Sequence, residues 1–355
     1  MHKNIPIYVI IFRRALRRME NMKVKVVFIS SSLLFIVSVW LGITVGSVEI
    51  PLSTLWNKET NEQAYSILWN IRIPRVLLAA CVGASLALAG AAFQGLLKNP
   101  LADPYTLGIS SGASVGAVST MYFGFSIPIL DFFVLPTFSM LGAFITLMIV
   151  MGFAKFVDRT MRMETLILTG VIFSSFLGAC ISLMIALTGE QLRAIVGWLL
   201  GSVSMRGWSH VQMIVPFIII GGILIWLNRR ELNAMIYGDE RAQYLGVDVK
   251  RSKNMILIGG SMLTGAAVAV SGTVGFVGLV VPHMVRMVVG VDHRTLLLLS
   301  FINGATLLVI CDLISRTIIA PVELPIGVVT AFLGAPVFAY IFYRQRQGGL
   351  NNVRG

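Results

Sequence analysis

Charge is what this sequence has least of: Asp, Glu, Lys and Arg make up 12% of its 355 residues, whereas 56% are apolar. Mean hydropathy is +0.85. A soluble globular domain cannot cover its surface with so few charges, so that class is excluded and an integral membrane protein remains. Cysteine is nearly absent too. Cys81, Cys180 and Cys311 fall inside apolar stretches at unrelated spacings, which suggests neither a disulfide framework nor a metal site. The four histidines, His2, His210, His283 and His293, are scattered, and no paired carboxylates, Ser/His/Asp set or metal-ligand cluster stands in register. The sequence therefore predicts neither an enzyme nor a cofactor. It also lacks any G-x-x-x-x-G-K-[ST] stretch, so work driven by ATP would need another chain.

What is present is apolar length. Ten windows, near residues 24–46, 72–97, 105–123, 132–155, 163–187, 208–228, 252–271, 276–290, 295–319 and 326–344, are long or apolar enough to cross or enter a hydrocarbon layer about 30 Å thick. Lipid offers backbone groups no partners, so such windows are helices or barrel strands. None shows the two-residue alternation of a barrel strand. The expected fold is all-α and polytopic, with about ten transmembrane helices.

A net charge of +12 invites a nucleic-acid partner, but the placement of the charges opposes it. With the N-terminus in the cytoplasm, 22 of the 28 Lys and Arg residues fall on the cytoplasmic side. Lys58, Arg72, Arg75, Arg193, Arg206 and Arg316 fall outside. This is the positive-inside bias, and an even number of spans returns the C-terminus to the cytoplasm. Residues 1–23 read as a basic tail whose Arg13, Arg14, Arg17 and Arg18 suit an anionic leaflet. The apolar run from Val24 to Val45 exceeds the core of a secretory signal, and no A-x-A site follows it, so it reads as a first span. Residues 24–346 read as one transmembrane domain, and 347–355 as a cytoplasmic tail.

The chain is organised around residues 86–118, LALAGAAFQGLLKNPLADPYTLGISSGASVGAV. Small residues at Gly83, Ala87, Gly90 and Ala91, and again at Gly108, Gly112, Ala113 and Gly116, let helices approach closely in lipid. Between them Asn99, Pro100, Asp103 and Pro104 stop both helices and make a tight elbow. Thr106, Ser110, Ser111 and Ser114 are candidates for lining a polar path between helices, and serve equally as helix-packing hydroxyls.

Charged residues near the external ends stand out against this background. Arg72 and Arg75 lie three apart on one helical face where positive charge is disfavoured, and ask for an acidic partner. Asp312 and Arg316 are one turn apart, with Glu323 in the following loop. That spacing either neutralises Arg316 or orients it with its other donors outward. On the cytoplasmic side, residues 229–251, RRELNAMIYGDERAQYLGVDVKR, keep Ala234, Ile236, Tyr244 and Leu245 amid charge. Gly238 and Gly246 divide them into two short helices, a candidate docking surface. Arg286 is expected to pair with Asp292, and residues 189–208 to lie as a short surface helix anchored by Trp198 and Trp208.

Taken together, IRIPRVLLA, GAAFQGLLKNPLADPYTLGISSGASVGA, RAQYLGV, SGTVGFVGLVVPHMVRMVVGVDHR and ELPIGVVTAFLGAPVF occur in an order that resembles the FecCD-type permease subunits of ABC importers for ferric siderophores and cobalamin. The resemblance runs from about residue 30 to the C-terminus. It implies the type II importer permease fold in a bacterial cytoplasmic membrane. Its partners would be a second permease subunit, identical or related, two ATP-binding subunits, and an extracytoplasmic substrate-binding protein. Arg72, Arg75 and Arg316 match arginines that face glutamates of the binding protein. Glu240, Arg241, Ala242 and Gly246 match the loop that couples to the ATPase, although Arg241 stands where the pattern often has alanine. A ferric siderophore is the expected cargo; cobalamin or haem are the alternatives. An ion-coupled secondary transporter is the rival from another class, but it would carry more buried carboxylates than Asp312.

Overall fold

The computed structural model describes residues 7–46, 62–127, 131–158 and 162–351, and every regular element among them is helical. In chain order these are α1 (Ile7–Thr44), α2 (Glu62–Ile67), a π-turn (Leu68–Arg72) leading directly into α3 (Ile73–Leu96), a 3-10 turn (Pro104–Leu107), α4 (Ile109–Phe123), α5 (Asp131–Val157) and α6 (Met163–Leu187). There follow α7 (Leu192–Leu199), α8 (Trp208–Leu227), α9 (Arg229–Met235), α10 (Asp239–Tyr244), α11 (Val249–Ser271), α12 (Val277–Val289), α13 (His293–Thr317) and α14 (Ile326–Asn351). The ten apolar windows map one to one onto α1, α3 to α6, α8 and α11 to α14. Seven of the helical stretches are long and apolar enough to cross a membrane, and Val277–Val289 and Ile326–Ile341 are shorter apolar helices. Helix α1 starts at Ile7, so much of the basic N-terminal stretch is continuous with the first span. Its run of Arg, Ala, Leu, Met and Glu contains no glycine or proline to interrupt a helix.

Helix α3 is the axis of the bundle. Of its 24 residues, 21 are buried, and it packs against α13, α11, α12 and α8. Lipid supplies no hydrophobic drive between helices, so this packing rests on dispersion and close fit, which small residues provide. A Cβ added at Gly83 would meet the Gly304 carbonyl of α13 at 2.2 Å, and one at Gly112 the Gly142 carbonyl of α5 at 2.6 Å. Side chains are thus excluded at both crossings. Helix α6 is the opposite case, with only Leu166, Thr169 and Gly170 buried.

The elbow after α3 is closed by local hydrogen bonds. Asn99 Oδ1 accepts from the Leu101 N–H at 2.9 Å, and Asp103 caps the 3-10 turn by accepting from the Tyr105 N–H at 3.0 Å. Pro104 takes the first position of that turn, where no donor is required, and Pro100 lies within the loop.

Helix α7 is short, but Trp198 is 6% exposed and packed inward, not anchored at an interface. Its carbonyl abuts Gly272, which draws the end of α7 onto the turn after α11. Trp208 instead donates its indole N–H to the Trp69 carbonyl at 2.8 Å and packs its ring on that of Trp69.

Candidate functional site at the two ends of the bundle

At the N-terminal end of α3 the π-turn and the first helical turn bring Arg72 and Arg75 into one cleft with Arg316 and Glu323. Gly46, Ile67, Ile71, Ala320 and Pro321 complete its lining, and its volume is about 260 Å³. All three arginines are buried. Arg75 donates from Nε to Asp312 Oδ1 at 2.8 Å and from Nη1 to Glu323 Oε1 at 2.8 Å. Arg316 Nε lies 3.6 Å from the second Asp312 oxygen, and its Nη2 donates to the Gly42 carbonyl. Arg72 Nη1 donates to the carbonyls of Ile43 at 3.1 Å and Thr44 at 2.9 Å.

These last contacts have a plain cause. The final carbonyls of a helix have no partner within it and carry partial negative charge, so the last turn of α1 is a natural acceptor for guanidinium groups. Burying three cations is tolerable here because two carboxylates and the end of a helix answer them, leaving a formal excess of one positive charge. Partial burial disfavours the Glu323 carboxylate, yet hydrogen bonds from Arg75 and Ser204 and the nearby arginine charges outweigh it and hold its pKa below the usual glutamate value.

At the other end of α3, residues 229–251 hold the two short helices α9 and α10 and the start of α11. Helix α10 ends in a Schellman motif: the Val247 N–H donates to the Ala242 carbonyl at 3.1 Å and the Gly246 N–H to the Gln243 carbonyl at 2.9 Å. Gly246 has φ +83°, a conformation that L side chains resist, although nothing lies within 4 Å of where its Cβ would be. The glycine is there for the backbone, not for space. The motif turns Ala242 inward, fully buried, and leaves Glu240 and Arg241 exposed beside Tyr244 and Leu245.

The loop is fastened to the bundle by polar contacts that spacing does not reveal. Asp239, the first residue of α10, receives Lys98 Nζ from the elbow at 2.8 Å and Lys253 Nζ from α11 at 2.6 Å. Partial burial opposes its charge, but hydrogen bonds from Lys253 and Lys98 and their charges prevail, so its pKa lies below the ordinary aspartate value. On α9, Asn233 donates to Asp292 at 2.7 Å and accepts from the His293 N–H at 2.9 Å. Among the described residues no ion pair joins Arg286 to Asp292. That carboxylate is taken by Asn233 and by the Arg294 N–H, which it caps at 3.0 Å.

The candidate path hydroxyls lie on the elbow and α4. Thr106 donates to the Asp103 carbonyl at 2.7 Å, Ser110 and Ser114 are buried, and Ser111 is half-buried. A cavity of about 610 Å³ lies elsewhere, between α5, α8 and α11, lined by such residues as Phe144, Met213 and Met262.

Comparison with known proteins agrees with this architecture. Residues 34–344 match the FecCD transport family. The chain is 57% identical over 324 residues to the uncharacterized ABC transporter permease protein YvrB of Bacillus subtilis, covering 88% of this chain and 92% of that one. It is 41% identical over 306 residues to the hemin transport system permease protein HmuU of Yersinia pestis, covering 85% and 90%. A solved inward-facing ABC transporter assigned to the metal-chelate type superposes with a TM-score of 0.80 at 33% identity, over 90% of this chain and 99% of its own. An all-helical bundle, a match across most of its length and relatives this similar lead to one conclusion: the chain belongs to the FecCD transport family.

Proposed function

We propose that this ABC importer permease passes a ferric chelate of the siderophore type into the cytoplasm. In this reading the arginine cleft faces outward and receives a substrate-binding protein. Residues 229–251 face inward and engage two ATP-binding subunits, and a second permease subunit completes the path. The observation that supports the two-ended reading best is the opposite character of the two ends of α3: a cationic cleft at one, and at the other a short helix whose Tyr244 and Leu245 are 91% and 71% exposed. Complementary charge steers and orients an acidic partner, whereas exposed apolar side chains on a structured loop ask to be covered. The chelate cargo is supported by relatives described as carrying hemin or as being of metal-chelate type.

ATP binding and hydrolysis in the partner subunits would move α10 and rock the helices, so that the path opens to one side and then the other. Co-purifying the binding protein with the tagged permease and titrating it with a ferric hydroxamate, haem and cobalamin tests the cargo. Tight binding of the ferric hydroxamate is expected. Selective binding of haem or cobalamin would reassign it.

A further inference from the structure

Helix α3 spans the molecule from Arg72 and Arg75 at its start to Lys98 just past its end, a length of roughly 36 Å at 1.5 Å per residue. Almost all of it is buried, so it is tightly packed against its neighbours. Beside the packing of Leu232, Met235 and Ala242, polar side chains tie the loop to the bundle at α9 and at α10. Asn233 of α9 holds Asp292 and His293 at the start of α13, and the His293 ring lies against Gly95, where a Cβ would approach Nε2 within 2.2 Å. Asp239 of α10 holds Lys98 and Lys253 at once.

The Asp239 junction is the more telling of the two. Its partners lie 141 and 14 positions away, on the elbow after α3 and on α11. The Lys253 side chain is only 8% exposed, so its ammonium is committed to the contact and not merely resting at a solvated surface. Lys98 adopts φ +50°, an uncommon conformation for a side chain other than glycine. Asp239 opens α10, immediately after Gly238 with φ +111°, so the residue that is bolted down is the one at which the chain enters the short helix. None of Asp239, Lys98 and Lys253 belongs to the exposed face of α10.

We propose that Asp239 is a positioning residue: its two ion pairs transfer displacement of α10 to the elbow after α3 and to α11, while the exposed residues of α10 hold the ATP-binding subunit. The inference rests on the reading of residues 229–251 as the coupling loop. It separates gripping from transmission.

The test uses the complete importer, permease with ATP-binding subunits, in lipid nanodiscs. Two quantities are measured: the ATP-binding subunit retained on the tagged permease, and the stimulation of ATP hydrolysis by the cognate binding protein. Asp239→Asn is expected to retain the ATP-binding subunit while its stimulation falls by about fivefold or more, the scale of an ordinary coupling between sites. Asp239→Glu should restore stimulation. Lys98→Gln, which breaks the same bolt from the elbow and leaves α10 untouched, should reproduce the loss even if Asp239→Asn folds poorly. Full stimulation in both variants overturns the proposal. So does loss of the ATP-binding subunit from Asp239→Asn, which would make Asp239 a gripping contact. The underlying reading is checked separately with Tyr244→Ser and Leu245→Asp: if both keep the ATP-binding subunit as the wild type does, the loop assignment fails whatever Asp239 does.

Discussion

At one end of α3 three guanidiniums and the Asp312 carboxylate, 1% exposed, are drawn into the protein, with Glu323 at the rim; at the other, Tyr244 and Leu245 project from the end of a six-residue helix. The first end buries what usually stays in water, and the second exposes what usually does not. The contrast teaches how differently two candidate interaction surfaces are held. The arginine cluster is internally answered, by Asp312, Glu323 and the last carbonyls of α1, so it is ordered before any partner arrives. The loop is ordered in its backbone, by the Schellman turn and the Asp239 and Asn233 ties, but its outer side chains Tyr244 and Leu245 stay exposed among the described residues. One end is a preformed electrostatic mould; the other is an anchored apolar knob.

The comparison breaks most severely at its buried hub. Asp312→Ala leaves Arg75 and Arg316 without their shared carboxylate, and removing one partner of a buried ion pair costs about 3–5 kcal/mol. Thermal unfolding of the purified permease should show a drop of many degrees. A melting temperature within a degree or so of the wild type would mean that the cluster is not an internal network. Charge reversal at Arg75 is a poor probe of docking for the same reason, since it would set a third carboxylate beside Asp312 and Glu323.

Next in size is Gly246→Val. The left-handed conformation costs a residue with a Cβ about 1–2 kcal/mol, and a β-branched one more, so the last turn of α10 should unwind. ATP-driven uptake should be lost while global melting barely changes. Uptake at the wild-type rate would show that the geometry of this turn is irrelevant to transport.

A smaller effect is expected from Arg72→Gln, which keeps a polar side chain but removes the charge and the terminal donor that meets the α1 carbonyls. Association of the binding protein, measured by surface plasmon resonance, should slow by about tenfold at low salt and approach the wild type at high salt, where screening is strong. Equal association at low salt would remove Arg72 from the docking surface.

The smallest effect concerns pH. The pKa of Asp239 is lowered on folding, so the stability it lends is fully present above the unfolded aspartate value and is lost only as pH falls through the lower folded value. Protection of α10 amides from hydrogen exchange, corrected for intrinsic rates, should therefore be the same at pH 6 and pH 8. A marked change in that interval would point to a different titrating group.

Much of the fold was legible because lipid imposes strict rules. Apolar length located the ten helices, and Gly238 and Gly246 marked α9 and α10 because no other residue accepts their backbone so readily. The partners of charged residues were less legible. The i,i+4 spacing of Asp312 and Arg316 suggested a pair, yet the tighter contact is with Arg75, 237 positions away, and only packing of α3 on α13 creates it. Arg286 and Asp292 looked like a pair by proximity, but Asn233, 59 positions away, claims the carboxylate. The Lys98–Asp239–Lys253 junction left no trace in local spacing. A lone lysine in a turn and an aspartate after a glycine resemble ordinary solvated charges until the fold joins them.

The central claim is that this chain is a passage without a motor, worked by separate ATP-binding subunits through residues 229–251. Uptake of a radio-iron hydroxamate into proteoliposomes, measured with the permease alone and with the reconstituted ATP-binding subunits and binding protein, tests it most directly. Accumulation should require ATP and both partners and should persist when ion gradients are collapsed. Accumulation by the permease alone, driven by an imposed ion gradient without ATP, would contradict it.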